Sequence, residues 1–344
     1  MTESRAVRFF DRGEIREGTL MSDAGTPTLL AEQAPAGAPP LDGIVTGLFT
    51  DHHVHLQLVD HTALPGSRLG AVIDLGAEIG WISDLASDTA RHNSGEPAVL
   101  RPGSAGSATE APESPELWPR IRYAGPFLTA VGGYPSDREW APAGSVRQIT
   151  DAAEAATVVA ELATQGVSFL KVVGNSDAGP VLDDELMRTL ARLAAEHRIP
   201  LVAHAEGPGQ AQRVARLGAT RLAHAPFSER LTDDEIAEQA ASVSWISTMA
   251  IHDGEARDIV TDNVRRFAAA GGELVYGTDM GNGATPVDLR DAEVDALRVA
   301  GVNGTDLLIA LAPADPLAPG APLLLLPDDD PNRSRRLTTA DLEY

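Results

Sequence analysis

Asp51-His52-His53-Val54-His55-Leu56 closes an apolar run that begins near Ile44. Alternate side chains of a β-strand share a face, so His53 and His55 project together, while His52 points away and reads as packed on the outside. Two imidazoles fixed in direction at a strand end are a start for a divalent-metal site, because neutral ring nitrogens are good ligands. A His-x-His pair is common enough to be structural. It becomes a site only if other strand ends supply further ligand types.

The 344-residue chain is 43% hydrophobic, enough for one large α/β domain with small attachments. Its formal net charge of −23 repels nucleic acid and anionic membranes, so neither is an expected partner. There is no cysteine, hence no disulfide framework and no thiolate ligand. The first twenty residues are rich in Arg, Asp and Glu, unlike a signal peptide, and no run is apolar enough to span a bilayer, so a cytoplasmic protein is expected. The 27 Lys plus Arg include a single lysine, Lys171, inside the apolar run Val167-Ser168-Phe169-Leu170-Lys171-Val172-Val173. A buried lysine is costly without a partner. Unlike arginine it can shed its proton, and a neutral amine can add carbon dioxide to become a carboxylate-like bridge between two metals.

Residues 1–44 read as a small β-rich segment, with Val7 to Phe10 and Thr28 to Leu30 as strands and a Pro/Ala/Gly linker at Ala34 to Pro40. Strands then alternate with helices, which implies a parallel sheet. Strands are predicted at Ile44 to Asp51, Ala71 to Leu75, Arg122 to Thr129, around Lys171, Leu201 to His204, Arg221 to His224, Ser244 to Ile251 and Leu274 to Asp279. Helices are predicted from Ile149 to Thr164, Asp183 to Arg198, Gln210 to Leu217, from the capping box Thr232-Asp233-Asp234-Glu235, from Asp258 to Ala270 and from Asp288 to Val299. Arg91 to Pro119 is a long polar loop of the kind that forms a lid or binding loop.

Eight strand-like runs over this length fit a (β/α)8 TIM barrel at 45–318. His53, His55, Lys171, His204, His224 and Asp279 all fall at or near the C-terminal ends of predicted strands, the rim that carries barrel active sites.

With those residues in place, the chain resembles the amidohydrolase superfamily of metal-dependent hydrolases. The words Phe169-Leu170-Lys171-Val172-Val173, Ala203-His204-Ala205-Glu206-Gly207, Ala223-His224-Ala225-Pro226 and Tyr276-Gly277-Thr278-Asp279 are similar to its imidazolonepropionase-related branch. The resemblance runs from His53 to Gly301. It implies hydrolysis of a C–N bond in an amide, cyclic amide or imide, or dipeptide-like substrate. It also implies two divalent ions, zinc first and manganese, iron or nickel as substitutes. His53, His55 and Asp279 would hold one ion, His204 and His224 the other, and carboxylated Lys171 would bridge them. A hydroxide between the ions would be the nucleophile, with Asp279 as general base and then general acid. The partner is a small-molecule substrate, and a homo-oligomer is a family expectation. The resemblance also implies a small β-sandwich built from the terminal segments, 1–44 and 319–344; the stretch Leu311 to Pro331 departs from the family by being rich in Pro and Asp, with Leu323 to Leu326 and Arg336 to Tyr344 as the candidate strands there.

Around this set, Tyr134, His252, Met280 and Asn282 are candidate substrate contacts, and Asp51 is expected to orient the first strand's histidines. His61, His92 and His197 read as surface or helix-end residues. The low aromatic content, 4%, argues against an extended stacking surface. Two other functions compete: a mononuclear deaminase or imidazolone-type hydrolase needing only His53, His55, His204 and Asp279, and an inactive barrel acting as a binding protein.

Overall fold

The turn Arg12-Gly13 has positive φ at both residues (49° and 86°), the backbone a two-residue hairpin needs. It joins strand β1 (Ser4–Asp11) to β2 (Glu14–Asp23), and β3 (Thr26–Leu30) and β4 (Pro40–Gly47) follow. The structure, a computed structural model, describes residues 4–23, 25–96 and 117–343; most of the expected polar loop, 97–116, lies outside them.

The central strands come next: β5 (Phe49–Val54), β6 (Leu69–Asp74), β7 (Arg120–Tyr123), β8 (Phe127–Ala130), β9 (Val146–Ile149), β10 (Leu170–Asn175), β11 (Leu201–Glu206), β12 (Arg221–Leu222), β13 (Ser244–Ile246) and β14 (Leu274–Val275). Strands β15 (Leu323–Leu326) and β16 (Arg335–Arg336) end the chain. One parallel sheet runs β5-β6-β7 and another β14-β13-β12-β11-β10-β8-β9. They meet twice. The chain passes from β7 to β8 through Ala124–Pro126, and the Ser168 amide donates to Tyr123 O at 2.8 Å. At the other edge the His52 amide donates to Tyr276 O (3.0 Å) and the His55 amide to Met280 O (2.7 Å), with a parallel bridge between Val54 and Met280. The fold is thus mixed α/β around parallel strands.

Helices α1 (Ile79–Asn93), α2 (Ala152–Thr164), α3 (Asp184–Glu196), α4 (Gln210–Arg216), α5 (Asp233–Ala240), α6 (Gly254–Ala269), α7 (Asp291–Val299) and α8 (Gly304–Ala310) connect most of the strands. Helix α3 shows why they form where they do. The Asp183 carboxylate accepts from the Leu186 amide at 2.8 Å, a cap worth about 1 kcal/mol, and Met187, Leu190, Leu193 and Ala194 bury one face. The capping box at Thr232 opens α5 as expected. Helix residues and outward strand residues form the main core, where Trp245 of β13 stacks on Phe267 of α6 at 3.7 Å. A separate cluster, Ile73, Leu75, Ala124, Phe169, Val202, Ala223, Ile246 and Val275, contains only strand and strand-end residues. No helix among the described residues is long and apolar enough to cross a membrane.

Several element limits differ from the sequence reading. Ile44 to Gly47 is not the start of the first central strand. It pairs parallel with β1 and antiparallel with β15 in a six-stranded sheet, β16-β15-β4-β1-β2-β3, drawn from both ends of the chain. Ile149 ends β9 rather than opening α2, and β13 stops at Ile246, with Met249–Ile251 in a 3-10 turn before His252. Of the last expected strand, Arg336 to Tyr344, only Arg336 among the described residues lies in a strand, β16, and Thr339–Leu342 is a 3-10 turn.

Candidate metal centre

His53 ends the inward row of β5 and His55 follows the strand; both rings line a cavity of about 590 Å³. Backbone carbonyls set their tautomers. His53 Nδ1 lies 2.8 Å from Ala223 O and His55 Nδ1 3.3 Å from Gly76 O, and a carbonyl can only accept, so Nδ1 carries the proton in each. The two Nε2 lone pairs then face each other at 3.3 Å, and Asp279 Oδ1 stands 3.2 Å from both. Three acceptors at this spacing repel one another unless a cation or a proton sits among them. This is the group among the described residues whose donor atoms could close on one metal ion, all within 4.8 Å of one another and all buried.

Lys171 adds to the cluster from the floor. It is the second residue of β10, not its end, and it is 1% exposed. Lys171 and Val173 face the cavity while Leu170 and Val172 pack in the main core. Its Nζ is 3.4 Å from His53 Nε2, and among the described residues it makes no ion pair. Burial pulls its pKa down to about 7, against the opposing pull of Asp279 and Asp74. Burial and then the Lys171 charge push His53 well below its ordinary value. Burial would raise the Asp279 carboxyl, but His53, His55 and His224 hold it well below the usual carboxylate range.

His204 and His224 complete an arc of rings: His53 to His224 is 4.8 Å between centroids and His224 to His204 is 4.7 Å. His224 Nδ1 bonds Thr248 Oγ1 at 2.9 Å, which leaves Nε2 as its second nitrogen. His204 Nε2 faces Glu206 Oε2 at 3.1 Å and therefore donates, leaving Nδ1 with the free lone pair. All six expected ligands line the one cavity.

The supporting backbone is unusual at two points. Asp279 (φ 55°) and Thr248 (φ 42°) both occupy the left-handed region without being glycine. Gly277 allows a close approach, since a Cβ there would run into Ile246 and crowd His53. Asp51 accepts from the His53 amide (3.0 Å), the Thr278 amide (3.1 Å) and Thr278 Oγ1 (2.5 Å), so it ties the His53 segment to the Asp279 segment; burial pushes its pKa up to about 7. His52 is buried, with Nδ1 3.0 Å from Tyr276 O, and burial lowers it to about 4.

Of the expected substrate contacts, Tyr134, His252 and Asn282 line the cavity. Burial raises the Tyr134 phenol to about 12, so it stays a donor. Asn282 Nδ2 donates to Asp279 Oδ2 at 2.8 Å. His252 stacks on Phe227 at 4.1 Å, and its buried Nε2 has no hydrogen-bond partner among the described residues. Met280 is different. It is fully buried in the main core and does not line the cavity. His61 packs edge-on against Trp81, His92 lies in the last turn of α1 and His197 caps α3. Sequence reasoning passed over Glu206, Phe127, Trp140 and Phe227 as cavity residues. The spacing His204-x-Glu206 on one strand was the available signal for the first.

No protein-family model matches the chain, and no curated protein matches it. Solved structures do. A Xaa-Pro dipeptidase with methionine bound in its active site is similar over 94% of this chain and 93% of its own, with TM-score 0.64 and 13% identity. The A. niger ochratoxinase is similar over 94% and 89%, with TM-score 0.66 and 13% identity. Bottromycin amidohydrolase is similar over 99% and 88%, with TM-score 0.64 and 18% identity. These neighbours are amidohydrolase-superfamily enzymes, and theirs is the fold of this chain.

Proposed function

We propose that the chain is a metal-dependent hydrolase of a C–N bond in a small amide, cyclic amide, imide or dipeptide-like molecule, acting in a closed (β/α)8 barrel at 45–318. The observation that carries the reading is the buried convergence of His53 Nε2, His55 Nε2 and Asp279 Oδ1 beside Lys171, on a cavity floor. The fold shared with amide- and dipeptide-cleaving enzymes supports it.

The donors fit the expected ions. Tautomers fixed by Ala223 O and Gly76 O turn two lone pairs toward one carboxylate oxygen, an arrangement that a bound cation would relieve. His53, His55 and Asp279 would hold one ion and His204 and His224 a second, zinc by preference, or manganese, iron or nickel. Neutral Lys171 would add carbon dioxide with loss of a proton, forming an N–C bond whose carboxylate could serve as a further ligand. Bound divalent ions lower the pKa of water toward neutrality and polarise a carbonyl.

The chain's own groups do the rest. Asp279, held in place by Asn282, accepts a proton from the attacking water and returns it to the leaving nitrogen. The Tyr134 hydroxyl donates to the substrate's carbonyl oxygen. His252 offers a neutral ring nitrogen to the substrate.

A single-ion site is the second reading. It is favoured by one observation: among the described residues, His53, His55 and Asp279 are the one group of three whose donor atoms all lie within 4.8 Å of one another. Metal content per chain separates the two. Protein produced with added bicarbonate is expected to hold two equivalents, falling to one or fewer in Lys171→Arg, alongside loss of amide hydrolysis. One equivalent in both proteins would leave the single-ion site, and none in either would overturn the hydrolase.

A further inference from the structure

The cavity walls above the candidate ligands have a composition of their own. Phe127 of β8 meets Trp140 edge-on at 6.1 Å, and Tyr134 lies 6.1 Å from the same indole. Phe227, beyond β12, stacks on His252, beyond β13. A chain with only 4% aromatic residues thus gathers four of them, with His252, around one opening. Trp140 is 42% exposed, an apolar ring left to water at the mouth. The charges are equally one-sided. Among the described residues, no arginine lines the cavity, although the chain has 27 Lys plus Arg; Lys171 is at the floor, engaged with His53. Arg138 lies over the Tyr134 ring at 5.5 Å, outside the lining, and pairs with Asp137. Glu206 does line the cavity: its Oε2 accepts from His204, and the side chain is 31% exposed.

We propose that this site takes an amide bearing an aromatic group between the two ring clusters and an uncharged or cationic remainder facing Glu206, and that it discriminates against a substrate with a free carboxylate. The proposal rests on the hydrolase reading above. An aromatic ring placed between Trp140 and Phe227 gains offset or edge-on contacts and covers the exposed indole. A neutral donor or an ammonium satisfies the free valence of the Glu206 carboxylate, and a polar group on the same molecule reaches the orphaned His252 Nε2. A free carboxylate on that remainder meets Glu206 with no guanidinium among the lining residues to pair it, in a cavity where like charges are poorly screened.

The test is a matched series on the holoenzyme. N-acylated phenethylamine, its 4-aminomethyl derivative, phenylalanine and isobutylamine carry the same acyl group and one scissile amide. Expected is a kcat/KM at least tenfold higher for the two uncharged or cationic aromatic compounds than for either the phenylalanine or the isobutyl compound. Trp140→Ala should shrink the aromatic-over-aliphatic ratio at least threefold. Glu206→Gln should shrink the neutral-over-carboxylate ratio at least threefold; a ratio within one variant is unmoved by a general loss of turnover. Quenching of Trp140 fluorescence by the same compounds, with Trp140→Phe as control, reads binding without turnover. If the free acid is bound and cleaved as well as the neutral aromatic amide, the substrate class is overturned and the hydrolase stands. If the neutral aromatic amide binds preferentially but is never cleaved, the hydrolase reading falls and the binding preference stands. Failure of every member to quench Trp140 overturns the proposal.

Discussion

Asp279 is held in left-handed backbone, buried, with one carboxylate oxygen against His53 and His55 and the other on Asn282. Asparagine at this position keeps the side-chain shape but cannot take a proton. Asp279→Asn is expected to retain metal, read by content per chain, while kcat falls by about 10²–10⁴-fold, the usual worth of a positioned acid–base group. Near-normal turnover would remove the role. At this scale the ligand types were legible because each comes with a local pattern: a period-2 histidine pair, a solitary lysine in an apolar run, and His or Asp at the ends of strand-like words. Met280 shows where adjacency misleads. The left-handed backbone at Asp279 breaks the run of the strand, and the residue after it packs in the core. Glu206, Trp140 and Phe227 carry no local mark, because their importance comes only from elements that converge in space.

Helix α7 does at the level of an element what no single ligand does. Its Glu293 carboxylate accepts from the amides of Met249 (2.9 Å) and Ala250 (2.6 Å), just past strained Thr248, which holds His224. Arg290, at its N-cap, donates to Ala250 O (3.1 Å) and Thr278 O (3.5 Å), just before strained Asp279. One helix end thus braces both left-handed residues of the site. Glu293→Leu would orphan two buried amides, at roughly 1–3 kcal/mol each, and urea unfolding should show the loss. The pH dependence has a definite sign. Burial raises the Glu293 carboxyl, against weaker pulls from Ser247 and the two amides. Its contribution is therefore full below the unfolded carboxylate value and is lost as pH rises through the raised native one. The stability difference between the parent and Glu293→Gln should shrink across that window, and a difference that grows with pH would contradict the assignment. Elements with a clear apolar stripe, such as α3, were legible with their caps. Strand β2 was not, since Glu14, Arg16 and Glu17 mask it and only the Arg12-Gly13 turn announces a hairpin. Helix α8 is too short for a periodic signal, and β13, expected to run to Ile251, is cut by the turn at Thr248.

At the scale of the molecule, the terminal sheet and the parallel body share strands rather than touching as separate units. Strand β15 alternates between two cores: Leu324 and Leu326 pack in the main one, Leu323 and Leu325 in the terminal one. Strand β4 does the same through Ile44 and Val45, and only Leu48 separates it from β5, which carries His53. Arg336 adds polar ties, donating to Pro65 O (2.9 Å) and Ser67 O (2.7 Å) in the segment that leads into β6. The change near residue 44 from a β-rich segment to strands alternating with helices suggested a boundary there, but a strand that serves two cores leaves no such mark, because both of its faces read as apolar. Layers joined in this way unfold together. Far-UV circular dichroism and tryptophan fluorescence should therefore give coincident urea transitions for the full chain, and deletion of 319–344 should abolish the cooperative transition instead of releasing a stable parallel body. That deletion uncovers the edge of β4 and strips six buried leucines, Leu323 to Leu326, Leu337 and Leu342, each worth roughly 1.5–3 kcal/mol of burial, a loss comparable to the whole stability of an ordinary domain. Two separated transitions in the full chain, or a truncated chain that still binds metal with an unchanged midpoint, would show that the terminal sheet is an attachment and that the site stands without it.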